Sequence, residues 1–261
     1  PYAESNGIKL FYKTYGEGYP IILIGGLGSQ LQSWATQIPI YSKQYKVVVF
    51  DNRGIGNSDK PDYPYTVEMM ADDTTGLMDH LEIEKAHIIG KSMGGMISQW
   101  IGIKYPERAN KIVMGCSSGS RDEVGNEILR MGREITTKLG PKAGWMMALF
   151  LGYSREYVED NYQQIKNTLD TIPENHEGIT GYLNQSYACE NHNCLDLLHK
   201  IKAETLVMYG ERDFITAPRR SRKLAELIPN SIIKEFKGVG HGFWRECQKK
   251  VDELVLNFLK D

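Results

Sequence analysis

The stretch Gly90-Lys91-Ser92-Met93-Gly94-Gly95 decides the fold predicted for this chain. It follows a short apolar run, Ala86 to Ile89, and precedes a segment with helical spacing, Met96 to Tyr105. A G-x-S-x-G sequence between a strand and a helix is typical of a sharp turn that strains the serine backbone and exposes its hydroxyl. Glycines two residues to either side leave room for that turn. The pattern therefore predicts that Ser92 is a nucleophile at one edge of a sheet.

A serine nucleophile needs a general base, because its hydroxyl is weakly nucleophilic at neutral pH. Of the six histidines, only His241 follows the last predicted strand, in the loop Gly238-Val239-Gly240-His241-Gly242-Phe243. The others lie at a helix–strand junction or in a long insertion and its exit; they are His80, His87, His176, His192 and His199. We predict His241 as the base, the alternative being a solvated loop histidine.

An acid must hold the imidazole in the correct tautomer and stabilise the imidazolium that forms. Asp213 follows the predicted strand Thr205 to Tyr209 in Gly210-Glu211-Arg212-Asp213, and the carboxyl ends of parallel strands meet at one sheet edge. Glu211 competes for the role, but it lies at the immediate strand exit. The predicted triad is therefore Ser92, Asp213 and His241.

Short apolar runs alternate with helix-length segments along the chain, which predicts a largely parallel sheet with helices on both faces. Ile8 to Tyr15 alternates as an edge strand should. The remaining predicted strands are Ile21 to Ile24, Val47 to Phe50, Ala86 to Ile89, Lys111 to Met114, Thr205 to Tyr209 and Ile232 to Phe236. The predicted helices are Val67 to Leu81, Met93 to Tyr105, Arg219 to Ile228 and Cys247 to Leu259.

One interval, Ser117 to Glu204, is far longer than the dozen or so residues that a strand–helix–strand crossover needs. Its helical stretches are Glu123 to Leu139, Ala143 to Leu151, Arg155 to Leu169 and Ile179 to Ala188, separated by Gly140-Pro141, Gly152 and Pro173. We predict a helical cap at 119–191 on a core formed by 1–118 and 192–261. The cap aromatic and methionine residues either line a ligand pocket or pack the cap onto the sheet.

Two further motifs accompany the triad: Gly25-Gly26-Leu27-Gly28 after a predicted strand, and Asp51-Asn52-Arg53-Gly54-Ile55-Gly56-Asn57-Ser58 after the next. They resemble the oxyanion loop and the D-x-R-G-x-G-x-S turn of the α/β-hydrolase superfamily. Over nearly its whole length the chain resembles the esterase, enol-lactonase and C–C hydrolase branch, whose nucleophile, acid and histidine follow in the same order. The resemblance implies an α/β-hydrolase fold: a mostly parallel, doubly wound sheet of about eight strands, with a helical cap after the sixth.

The same resemblance implies an oxyanion hole formed by the backbone N–H groups of Leu27 and Met93. The chain departs from the family at Gly25 and Lys91, where the family often has histidine. The leading hypothesis is a carboxylic ester hydrolase that forms an acyl-enzyme and needs no cofactor. Rival hypotheses are an enol-lactonase or a C–C bond hydrolase with the same triad, and a small-molecule binding module with little turnover. An enol-lactonase would need a basic residue that binds the carboxylate of its substrate. The candidates are Arg121, Arg130 and Arg133, and the alternative is that these are solvated charges on a helix surface.

The composition argues against nucleic acid and membranes as partners. Lys and Arg number 31 against 33 for Asp and Glu, so the net charge of -2 gives no field that attracts nucleic acid or anionic lipid. No apolar run approaches the ~20 residues that span a bilayer, and the first residues carry no signal pattern, so we expect a cytoplasmic protein with a small-molecule ester or lactone substrate. The sequence leaves the oligomeric state open.

The four cysteines are expected to be free thiols, because they are too few and too scattered to form a disulfide framework. Cys189, His192 and Cys194 lie close together in sequence, but no fourth ligand is evident. We therefore predict no metal site.

Overall fold

The computed structural model describes residues 1–170, 172 and 179–260. Within them eight strands form one sheet in the order β1-β2-β4-β3-β5-β6-β7-β8. Only the β1–β2 and β2–β4 pairs are antiparallel, which confirms a mostly parallel sheet. The strands are β1 (Tyr2–Ser5), β2 (Ile8–Tyr15), β3 (Pro20–Ile24), β4 (Lys46–Phe50), β5 (Ala86–Lys91), β6 (Ala109–Gly115), β7 (Glu204–Gly210) and β8 (Ser231–Phe236).

Most helices of the described residues fall close to predicted positions, whereas the four-residue helices α1 and α10 were not predicted. They are α1 (Ile38–Tyr41), α2 (Val67–His80), α3 (Met93–Lys104), α4 (Glu123–Leu139), α5 (Pro141–Gly152), α6 (Arg155–Asp160), α7 (Tyr162–Asp170), α8 (Ile179–Glu190), α9 (Pro218–Leu227), α10 (Phe243–Glu246) and α11 (Gln248–Lys260). One prediction was wrong: the single helix expected over Arg155 to Leu169 is two helices, which break at Asn161. The predicted breaker Pro173 lies outside the described residues.

The predicted edge strand, Ile8 to Tyr15, is not at the edge of the sheet, because β1 pairs with it on the outer side. The alternation of buried and exposed residues along β2 arises because one face of this antiparallel end of the sheet is open to solvent. β1 has only four residues, too few for a period of two to stand out from the sequence.

Apolar side chains on the two faces of the central strands belong to two separate cores. On one face Ile22 and Val48 pack with residues of α2 and α3. On the other face Leu23 and Val49 pack with α1 and α11. Helices therefore cover both faces, which is why these strands read as continuous apolar runs rather than as alternating ones.

Helices α4 to α8 form one insertion between β6 and β7, after the sixth strand as predicted. The two ends of the insertion meet in an antiparallel bridge between Ser120 and Asn193, and Cys194 N–H donates to the Gly119 carbonyl at 2.9 Å. The division into a cap at 119–191 and a core of 1–118 with 192–261 stays a prediction.

Candidate active site

Ser92 occupies a strained turn between β5 and α3. Its φ of 53° and ψ of −114° are unusual for a residue with a side chain, and such strain is concentrated at functional sites. A β-carbon at Gly90 would overlap the carbonyl oxygen of Gly94, and one at Gly94 would overlap that of Ile24. The two glycines of the motif therefore allow α3 to begin in backbone contact with β3 and β5.

The Gly25–Gly28 loop passes beside this turn. A β-carbon built on Gly26 would lie 3.3 Å from the Lys91 carbonyl oxygen and 3.4 Å from Ser92 Cβ, so nothing larger than glycine fits without a shift. Leu27 follows in the same loop, and Met93 is the first residue of α3. The structure thus brings both segments of the predicted oxyanion hole to the serine, while the donor roles of Leu27 and Met93 stay predictions.

Asp213 and His241 are paired. His241 Nδ1 lies 2.8 Å from Asp213 Oδ2 and 3.0 Å from Oδ1. Asp213 is buried, and its Oδ1 also accepts the backbone N–H groups of Ile215 at 3.0 Å and Thr216 at 2.8 Å. The carboxylate is therefore fixed by its own loop, and it holds the imidazole through Nδ1. This leaves Nε2 as the nitrogen that can take a proton from a nucleophile.

The competing acid, Glu211, points elsewhere. Its carboxylate accepts the backbone N–H of Gly238 at 2.9 Å and pairs with Lys237 at 3.1 Å on the surface. Glu211 therefore holds the start of the loop that leads to His241, and it does not contact the histidine through these bonds.

Two opposing effects set the pKa of His241. Burial lowers it, but the adjacent Asp213 carboxylate outweighs burial and raises the pKa well above its usual value, with a smaller contribution from Cys116. The site thus favours the imidazolium, the form that a general base reaches after it has accepted the proton of the serine.

Cys116 is a residue of this site that the sequence reasoning had treated only as a free thiol. It follows β6, is buried, has a positive φ of 48° and interacts with the His241 ring. Its position at the carboxyl end of a parallel strand was the available signal. All four cysteines are free, as predicted.

Gln185 of α8 is a second residue that sequence reasoning missed. Its side chain is fully buried and bridges two loops: Oε1 accepts the Gly28 N–H at 2.9 Å, and Nε2 donates to the Arg53 carbonyl at 2.7 Å. A lone glutamine on a helix carries no sequence signal for such contacts.

Aromatic side chains of the insertion lie over the site. A β-carbon built on Gly28 would lie 3.2 Å from Tyr182 Cδ2 and 4.0 Å from Trp145 Cζ2. Tyr153 packs against Gly242, next to the histidine, and helps to line an open cavity of about 500 Å³. The other residues around this cavity are Phe150, Arg155, Val158, Glu159 and Tyr162.

Two other histidines, His87 and His192, are buried. Burial lowers the pKa of His87 to about 4, and it does the same for His192. His192 Nε2 and Cys194 Sγ both contact the Gln99 side chain, at 3.3 Å and 3.0 Å. In the described part of the chain no group of three or more His, Cys, Asp or Glu side chains suits a metal ion. His176 lies outside that part.

A model of the alpha/beta hydrolase fold family matches residues 19–243. The chain belongs to this family. Among α/β hydrolases it is 26% identical to 3-oxoadipate enol-lactonase 2 of Acinetobacter baylyi, over 87% of this chain and 84% of that protein. It is also 26% identical to 2-hydroxymuconate semialdehyde hydrolase of a Pseudomonas species, over 98% of this chain and 92% of that one.

A solved structure agrees with this placement among the α/β hydrolases. The enol-lactonase from Burkholderia xenovorans superposes with a TM-score of 0.92 at 27% identity, covering 100% of both chains. The names of these relatives differ in the reaction that they describe, so family membership leaves the substrate open. Within residues 1–170 and 179–260 we find no helix with the length and apolar character needed to cross a bilayer.

Proposed function

We propose that this α/β hydrolase cleaves a carboxylic ester of a small molecule, with Ser92 as nucleophile, His241 as general base and Asp213 as the acid that orients the histidine. The observation that carries the proposal is the Asp213–His241 pair, at 2.8 Å, at the same end of the sheet as the strained Ser92 turn. A purely structural role would not require this pair and a strained serine turn at the same end of the sheet.

In the first half of the reaction, Ser92 Oγ attacks the ester carbonyl carbon while His241 Nε2 takes the hydroxyl proton. His241 then gives that proton to the departing alkoxide, which leaves as the alcohol, and an acyl-enzyme remains. In the second half, water attacks the acyl carbon, His241 takes the water proton and returns it to Ser92 Oγ, and the carboxylic acid is released.

The negative charge that develops on the carbonyl oxygen needs donors that are already in place. We assign that role to the backbone N–H groups of Leu27 and Met93. Met93 follows Ser92 in the chain, and Leu27 follows Gly26, which lies beside Ser92 Cβ. Each such donor contributes about 3 kcal/mol to stabilisation of the transition state.

One observation favours a lactone or C–C substrate that bears a carboxylate. Arg130 and Arg133 both pair with Glu190, so their charges are already compensated. Arg121 makes no ion pair with a carboxylate in the part of the chain that the structure describes; its Nη2 donates to the carbonyls of Gly125 at 2.8 Å and Ile215 at 3.3 Å. Its Nε is buried without a hydrogen-bond partner. Of the three candidate arginines, Arg121 is therefore the one whose charge remains available.

The first experiment compares wild type with Ser92→Ala on p-nitrophenyl esters of increasing acyl length, followed by mass spectrometry after treatment with a fluorophosphonate. We expect turnover only in the wild type and a single adduct on Ser92. Ser29→Ala, which removes a hydroxyl beside Gly26, is the control and should keep its activity. Unchanged turnover in Ser92→Ala would remove the serine mechanism, and binding without turnover or adduct would favour a binding module.

The second candidate is tested on paired substrates, a neutral lactone and a lactone that bears a carboxylate. Arg121→Met should raise KM for the anionic lactone alone if the arginine binds the carboxylate. An equal effect on both lactones would assign Arg121 to the structure of the loop.

A further inference from the structure

The side chain of Gln185 is one point at which the insertion contacts two loops of the core, the Gly25–Gly28 loop beside Ser92 and the loop of Arg53. Both of its polar atoms are bonded to backbone groups of those loops, at 2.9 Å to Gly28 and 2.7 Å to Arg53, and the side chain has no exposed surface. A buried N–H or C=O that loses its partner costs about 1–3 kcal/mol. The two bonds therefore favour one placement of the loops relative to α8.

The bond to Gly28 acts on the oxyanion loop directly. The peptide that joins Leu27 to Gly28 is planar, so a fixed Gly28 N–H also fixes the Leu27 carbonyl and restricts the backbone of Leu27. Gly28 itself has a φ of +68°, and the Tyr182 ring closes over it. The conformation of the loop thus depends on a contact from α8.

Helix α8 also reaches the second loop at backbone distance. A β-carbon at Gly181 would overlap the carbonyl oxygen of Gly54. Gly181 and Gln185 are four residues apart and so lie on one face of the helix. The two loops are joined to each other as well, because Asn52 Nδ2 donates to the Gly25 carbonyl at 3.3 Å and Asp51 Oδ1 accepts the Leu31 N–H at 2.7 Å.

We propose that Gln185 is a positioning residue that couples the seating of α8 to the geometry of the oxyanion loop, so that the Leu27 N–H is placed for catalysis only when the insertion is docked. The inference rests on the function proposed above and adds a role for the insertion beyond enclosing the substrate. Gln185 acts through Leu27 and Gly28 and does not touch the reacting atoms.

The test compares wild type with Gln185→Leu and Gln185→Glu on a p-nitrophenyl ester that the wild type hydrolyses. Gln185→Leu should lower kcat about 10- to 100-fold with KM changed less than about threefold, since a small misplacement of a catalytic group costs up to about 10²-fold. The affinity for a trifluoromethyl ketone, whose adduct places an oxyanion in the same hole, should fall by the same factor as kcat/KM.

Gln185→Glu adds a readout that a purely structural role would not change. A protonated glutamic acid can accept from the Gly28 N–H and donate to the Arg53 carbonyl, whereas a carboxylate can only accept. The kcat of this variant relative to wild type should therefore recover as pH falls, while the same ratio for Gln185→Leu stays flat. A flat ratio for Gln185→Glu would overturn the proposal, and this test remains available even if Gln185→Leu proves too unstable to assay.

Ser186→Ala is the matched control, because Ser186 is the next residue of α8, is equally buried and bonds to Arg133 within the insertion at 3.0 Å. It should keep kcat within about twofold. An equal loss in Ser186→Ala, or wild-type kcat in Gln185→Leu, would overturn the coupling. If instead Ser92→Ala retains activity, the proposed function fails, and that result is independent of both Gln185 variants.

Discussion

Replacement of Lys91 by methionine should stabilise the protein, and the gain should shrink as pH rises. The Lys91 ammonium lies 3.6 Å from the centre of the Trp34 ring and 4.7 Å from that of Trp244, and it donates to Gln37 Oε1 at 3.2 Å. Burial is the main reason that the pKa of Lys91 is lowered to about 7. Cys116 and Asp252 act in the opposite direction and raise this pKa, while Arg245 lowers it further.

The magnitude follows from the distance between this pKa and the ordinary value of 10.5. Between the two values the unfolded chain binds more protons than the folded one, so folding becomes more favourable as pH rises. One pKa unit corresponds to about 1.4 kcal/mol, and integration from pH 6 to pH 9 gives a change of about 2–3 kcal/mol for this site. Methionine has no such term, so its advantage over lysine should be larger at pH 6 than at pH 9 by that amount.

The assay is urea unfolding of wild type and Lys91→Met at a series of pH values between 6 and 9. Lys249→Met, at an exposed position of α11, is the control for the loss of one surface charge. Unfolding free energies of wild type and Lys91→Met that run parallel across this range would refute the reasoning, because they would mean that Lys91 keeps an ordinary pKa in the fold.

Two further changes test other parts of the structure. Asp213→Asn should lower kcat by about four orders of magnitude. The rise of kcat/KM with pH should also move to lower pH, because the carboxylate that raises the pKa of His241 is lost. A pH–rate profile measures both effects, and an unchanged midpoint would contradict the assignment of Asp213. Asp73→Asn should lower the free energy of unfolding, measured by urea denaturation, by about 3–5 kcal/mol. The reason is that the buried Arg53 guanidinium, which lies 2.5 Å from the Asp73 carboxylate, would lose its counter-ion. A change below about 1 kcal/mol would contradict this prediction.

The segments that carry the proposed triad residues could be located from the sequence because their signals are local. The motif around Ser92 needs glycines at fixed positions, and the strand before it and helix after it were visible as apolar periodicity. Asp213 follows the buried strand β7, whereas the apolar run before His241 is β8, an edge strand whose Ile232 and Ile233 are exposed. Parallel strands still deliver their carboxyl ends to one edge of the sheet. That placement rule also applies to Cys116, which was not drawn from the sequence, because a single buried cysteine is usually a packing residue.

Other features depend on contacts between distant segments and left no local pattern. Gln185 contacts Gly28, which lies 157 residues away, and Arg53 at a separation of 132. The break at Asn161 falls between two helices whose combined length and spacing suit one helix. The first strand, Tyr2–Ser5, is too short for its alternation to be distinguished from chance. For Gln185 and for the first strand, the fold supplies the partner that explains the residues.

The insertion contacts both arms of the candidate site, and this bears on whether it is a separable cap. At its α5 end, the Gly152 carbonyl accepts the Gly242 N–H at 2.8 Å, directly beside His241. At its α8 end, the Gln185 side chain accepts the Gly28 N–H beside Leu27. A cap that only covered a pocket would need apolar contacts alone, whereas these are hydrogen bonds to the backbone of the two loops that carry the proposed base, His241, and the proposed oxyanion donor, Leu27. We infer that the insertion contributes to the geometry of catalysis as well as to substrate selection, so that variation within it changes kcat as well as KM.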